Sequence, residues 1–172
     1  MPRHVVLVGL PGSGKSTVGR LVAEGLPAPL IDIDLLLVRQ MGLPVEGIFG
    51  MVGEARFREM ERDAVVAAQA GAAKVIVPGG GWAAQAGQLE AARAACLIIY
   101  LKCSATVASR RAQQGEARPL LAAPDPLPAM RALLQAREPY YLLAGYEVAA
   151  DVKAAPAVAQ EVVRLARTHG GW

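Results

Sequence analysis

Residues 9–17 read GLPGSGKST and follow directly on the apolar run VVLV at 5–8. Three glycines and a lysine in nine positions make a poor core but a permissive loop. Gly9, Gly14, Lys15 and Ser16 satisfy every fixed position of G-x-x-x-x-G-K-[ST], between a strand-like run and a helical pattern, which is the context that motif requires. Gly12 and Gly14 open backbone conformations closed to residues with a Cβ. The backbone of Gly12, Ser13, Gly14, Lys15, Ser16 and Thr17 is then expected to form an anion nest at a helix N-terminus, where the dipole favours negative charge. Lys15 adds a cation for the β- and γ-phosphates of a nucleoside triphosphate, and Ser16 offers a hydroxyl to Mg²⁺. The alternative is a glycine-rich turn that binds nothing.

Outward from this loop, short apolar runs at 5–9, 29–34, 74–79 and 96–101, and a weaker one at 146–151, alternate with helical patterns at 15–26, 35–41, 54–70, 85–95, 105–113, 127–143 and 157–168. Runs that are apolar almost throughout suit parallel strands covered on both faces. The alternation predicts an α/β fold, a three-layer sandwich around a five-stranded parallel sheet with helices on both faces. One domain over 1–172 is expected. The Pro- and Gly-rich stretch QGEARPLLAAPDPLP at 114–128 interrupts the pattern and reads as a mobile lid, about 113–127. The C-terminal THGGW is expected to fray.

Composition narrows the partners. Eighteen Lys plus Arg against 15 Asp plus Glu give a formal charge of +3, too mild an excess to argue for nucleic acid. Apolar residues make up 53% and aromatics only 5%, so the core is expected to be Ala, Val and Leu. Cys96 and Cys103 flank an apolar run and fit a buried strand and its exit, which predicts a reduced, cytoplasmic protein. No apolar run approaches ~20 residues, so no membrane span is expected. MPRHVVLVG carries no signal pattern.

A triphosphate loop leaves a kinase or a hydrolysing switch or motor. The chain contains no asparagine, so the N-K-x-D motif with which guanine switches read their base is impossible. A kinase then needs an acceptor pocket, expected where the strands end. Asp32 and Asp34 end the second apolar run; on a strand they would share one face beside the phosphate loop, hold a Mg²⁺ water and take a hydroxyl proton. Alternatively Asp34 caps the following helix. Gly79, Gly80 and Gly81 expose backbone N–H groups or form a plain turn. Glu54, Arg58 and Glu61 share a helix face, either as a solvated stripe or with Glu61 orienting Arg58 to grip a carboxylate. Phe49 and Phe57 wall that pocket or pack the core. Arg118, in the expected lid, and Arg137 are further candidate anion ligands, or ordinary surface residues.

Together these residues resemble the shikimate kinase family, small phosphate-loop kinases of the nucleoside-monophosphate-kinase-like group. The pieces that carry the resemblance are GLPGSGKST, DID at 32–34, IFGMVGEARFREME at 48–61, GGG at 79–81, ARPLL at 117–121 and AREPYY at 136–141, in the family's order. The resemblance implies ATP- and Mg²⁺-dependent phosphorylation of the 3-hydroxyl of shikimate, a step of aromatic amino-acid biosynthesis, by a cytoplasmic monomer that engages neither nucleic acid nor membrane. It implies an acceptor-binding region over about 32–61. Asp34 would bind shikimate hydroxyls and act as base, Arg58 and Arg137 would hold its carboxylate, and Gly79–Gly81 would supply backbone contacts. Lys15 and Arg118 would stand at the phosphates, Arg110 on adenine, and Ser16 and Asp32 at Mg²⁺. Departures are Pro78 and Trp82, which bracket the triple glycine where smaller residues are usual, and Lys153, where arginine is usual. A gluconate kinase and an inactive ATP-binding module are the alternatives.

Overall fold

The computed structural model describes residues 1–114 and 124–172. Among them one parallel sheet is built from β1 (His4–Val8), β2 (Leu30–Asp32), β3 (Val75–Val77), β4 (Cys96–Lys102) and β5 (Tyr146–Ala149), in the order β2-β3-β1-β4-β5. Helices α1 (Lys15–Gly25), α2 (Ile33–Met41), α3 (Val45–Ala68), α4 (Gln88–Ala92), α5 (Ala105–Gln113), α6 (Leu127–Tyr141) and α7 (Ala155–His169) cover its two faces.

The apolar runs of β1 and β4 are continuous because both sides of each strand are buried. A period of two divides them. Val6, Val8, Ile98 and Tyr100 face a core shared with Leu37, Phe57, Leu89 and Met130. Val5, Leu7, Leu97, Ile99 and Leu101 face a second core with Val18 and Val22 of α1 and Val158 and Val162 of α7. Cys96 and Cys103 are buried free thiols, as their flanking positions suggest.

Three expectations change. The second apolar run is a strand only to Asp32, and the chain turns into α2 at Ile33. Asp32 therefore caps that helix, its Oδ1 accepting from the Leu35 N–H at 3.2 Å, and the cap does not fall to Asp34. The helix expected to begin at residue 54 is the second half of α3; its first half, from Val45, is divided from it at Gly53, with φ 80° and ψ 165°. The C-terminus is tied down rather than frayed. The Trp172 indole donates to the Arg3 carbonyl at 2.9 Å and the Arg3 N–H to Gly170 at 2.8 Å, with the Trp172 ring on the second core. No single helix among the described residues is long and apolar enough to cross a membrane.

Candidate active site

The carboxyl ends of β1, β2 and β3 converge on one cleft of about 180 Å³, lined by Lys15, Ser16, Asp32, Asp34, Gly79 and Gly80 among others. The phosphate loop enters it from β1. Gly14 is the N-cap of α1 at φ 93°, in the left-handed region, and no side chain caps the helix. The first N–H groups of α1 are thus left for a ligand. Gly12, at φ 80°, backs onto the Ala108 carbonyl of α5 with no room for a Cβ between them. The Lys15 ammonium arches over the loop, donating to the carbonyls of Gly9 at 2.9 Å and Leu10 at 2.8 Å. The Ser16 hydroxyl donates to Asp32 Oδ2 at 2.6 Å. Asp32 and Asp34 do not share a strand face, yet both line the cleft, because the first turn of α2 swings Asp34 toward Gly79.

The other wall comes from α3 and α6. Arg58 pairs with Glu61 at 3.1 Å and more loosely with exposed Glu54 at 3.7 Å. Its guanidinium lies 5.6 Å from the ring centres of both Phe49 and Phe57, whose own centres are 4.4 Å apart. The two rings therefore wall the cation rather than only filling the core. Arg137 is buried on α6.

The triple glycine is what lets these groups meet. A Cβ on Gly79 would collide with Glu61 Oε2 and touch Asp34 Oδ1; one on Gly80 would stand 3.1 Å from Arg137 Nη1; one on Gly81 would stand 2.5 Å from the Arg58 guanidinium carbon. Each glycine thus makes room for a different charged side chain. The Trp82 N–H closes the turn onto the Gly79 carbonyl at 3.1 Å. Pro78 lines the cleft, whereas the Trp82 ring is buried in the first core.

Glu61 is the buried acid of this wall. Burial pushes its carboxyl up from the ordinary 4.5 to about 7, and Asp34 on α2 adds to the rise; Arg58 on its own helix and Arg137 on α6 pull it down. The folded protein therefore holds this proton more tightly than the unfolded chain. The stability it contributes is complete below about pH 4.5 and is lost as pH rises through 7, about 3 kcal/mol over the window. Glu61→Gln removes that slope. Urea unfolding of both proteins from pH 4.5 to 8 checks it, and parallel stability curves would refute the assignment.

Arg110, expected beside adenine, is exposed on α5. Its neighbour Arg111 instead reaches the loop, donating to the Ala150 carbonyl at 2.7 Å and more weakly to that of Ser13 at 3.4 Å. Arg111 also lines a side pocket with Ser13, Gly14, Lys153 and Ala154. Arg111 stands three residues after buried Ala108, on the face turned to the loop, and Arg110 projects to solvent. Arg118 lies outside the described residues, as does most of the expected lid.

This cleft joins a phosphate nest to a pocket of paired arginines and an acid, and the sequence as a whole agrees with it. A family model described as shikimate kinase matches residues 11–167. The chain belongs to the shikimate kinase family. The shikimate kinase of Moorella thermoacetica is 39% identical over 162 residues, spanning 94% of this chain and 93% of that protein. Among solved structures, a shikimate kinase from Acinetobacter baumannii in complex with shikimate superposes with a TM-score of 0.91 at 31% identity, covering 98% of this chain and 94% of that one. A gluconokinase from Sinorhizobium meliloti superposes with a TM-score of 0.67 at 18% identity, covering 99% of this chain and 94% of that one, a likeness of fold alone. The shikimate kinase family works with ATP and Mg²⁺, and the residues here fit both. Ser16 and Asp32 set two hard oxygens side by side, and no cluster of three or more His, Cys, Asp or Glu stands among the described residues to hold a metal alone. That donor set suits an ion that keeps water and phosphate oxygens as its other ligands.

Proposed function

We propose that this chain transfers the γ-phosphoryl group of ATP to the 3-hydroxyl of shikimate, giving shikimate 3-phosphate and ADP in aromatic amino-acid biosynthesis. The observation that carries the reading is the continuity of one cleft from Lys15 and Ser16 to Asp34, Gly79 and Gly80, with Arg58 and Arg137 packed against the same glycine turn.

The phosphate loop binds the triphosphate through its N–H groups, and Lys15 neutralises charge that grows on the transferring group. Mg²⁺, when bound near Ser16 and Asp32, supplies further neutralisation of the β- and γ-phosphates. Arg58, its fork set by Glu61 and the two phenyl rings, grips the acceptor carboxylate together with Arg137. Asp34 bonds the acceptor hydroxyl and guides its proton away as the phosphoryl group transfers in line. Little covalent chemistry is left to the protein, so catalysis is mostly positioning and charge neutralisation. Arg110, exposed on α5, takes the place beside the base, while Arg111 braces the phosphate loop through the Ala150 and Ser13 carbonyls.

ADP release measured with shikimate, gluconate and AMP in parallel tests the assignment. Shikimate is expected to turn over at least a hundredfold faster, per unit kcat/KM, than either of the others, since a pocket built to hydrogen-bond a substrate rejects one that leaves its buried polar groups unpaired. Preferred turnover of gluconate, or silence with all three, would overturn it.

A further inference from the structure

The charged side chains of the acceptor pocket are held by neighbours that are themselves polar and buried, and one of these has no part in the mechanism above. Tyr141 is fully buried near the end of α6, one helical turn after Arg137. Its hydroxyl donates to the Gly80 carbonyl at 2.6 Å, and the Arg137 guanidinium lies against the same glycine. A phenol has one proton and lone pairs to spare. The proton goes to Gly80. Burial drives the Tyr141 hydroxyl up to about 12, against the opposing pull of Arg137, so it stays a neutral donor at any working pH.

The ring is fixed in turn. Tyr100 of β4 lies 5.1 Å away, centre to centre, and its own hydroxyl donates to Glu138 Oε2 at 2.7 Å. The aromatic pair therefore pins α6 to the sheet at the level of Arg137. Meanwhile Gly80 gives the guanidinium a floor without a side chain, 3.1 Å from where a Cβ would stand. One hydroxyl thus ties the helix that carries the acceptor arginine to the acceptor turn. An arginine side chain left alone carries large rotamer freedom, which a ligand must remove on binding.

We infer that Tyr141 is a positioning residue for acceptor recognition: its hydroxyl, bonded to Gly80, holds the turn against which the Arg137 guanidinium lies and so keeps that guanidinium ready for the substrate carboxylate. The inference rests on the assignment of Arg137 to that carboxylate. Tyr141→Phe keeps the ring and its packing and deletes only the bond. It is expected to raise the shikimate KM about tenfold, with kcat within twofold of the parent and the ATP KM unchanged. The double variant Tyr141→Phe with Arg137→Ala separates positioning from simple loss of core structure. If the hydroxyl acts through Arg137, the double variant is no worse in shikimate KM than Arg137→Ala alone. Additive effects, an unchanged shikimate KM in Tyr141→Phe, or a rise in ATP KM to match it would overturn the inference. An Arg137→Ala enzyme with normal shikimate KM would instead show that the carboxylate assignment beneath it had failed.

Discussion

With Lys15 replaced by alanine, kcat is expected to fall about a thousandfold or more while the fold persists. Lys15 is buried, and its ammonium sits at the mouth of a nest that otherwise offers only N–H groups. Deleting one preorganised donor from a site of developing negative charge costs 10²–10³ in rate, and deleting a full cation in phosphoryl transfer costs 10³–10⁵. The same ammonium also holds the Gly9 and Leu10 carbonyls, so the loop loses a brace as well as a charge. The sheet beneath depends on neither, and the thermal midpoint is expected to move by only a few degrees. Steady-state kinetics beside calorimetric unfolding check both halves. A residual kcat within tenfold of the parent would remove Lys15 from the transition state.

Arg58→Ala should act on the other substrate. The shikimate KM is expected to rise about a hundredfold with the ATP KM unchanged, since truncating one member of a hydrogen-bonded charge pair in a desolvated pocket costs 2–5 kcal/mol. Glu61 then faces the pocket without its nearest cation. Because burial already dominates its titration, it takes up a proton at neutral pH instead of remaining an unpaired buried charge. Arg58→Lys is expected to rescue little: an ammonium lacks the planar fork that meets a carboxylate bidentately and lies flat against Phe49 and Phe57. Initial-rate measurements varying each substrate in turn decide the matter, and equal rises in both KM values would count against an acceptor-specific role.

Much of this site is written locally in the chain. The phosphate loop is legible because a nest needs its glycines, lysine and hydroxyl at fixed spacing, and covalent geometry keeps that spacing in space. The strands are legible because burial on both faces leaves VVLV and LIIYL no polar position. Misreadings come from phase. Asp32 and Asp34 differ by where a strand gives way to a helix, a boundary that propensity marks to within a residue or two. The first half of α3 leaves little trace in the sequence because its N-cap, Pro44, offers no side-chain cap and its glycines weaken the helical signal. What no local pattern encodes is contact across the chain. The pairing of Gly79 with Glu61, Gly81 with Arg58, and Gly80 with Tyr141 joins residues 18 to 61 positions apart.

The crowding around residues 79–81 also limits how such an enzyme can change its taste for acceptors. Adding even a methyl group to that turn displaces a different ionic side chain at each position, so every mutational step there damages the parent reaction before it can favour another. Adaptation toward a new hydroxy acid has to be made from the facing helices, where Phe49 or Glu54 can be exchanged one at a time while the floor stays bare.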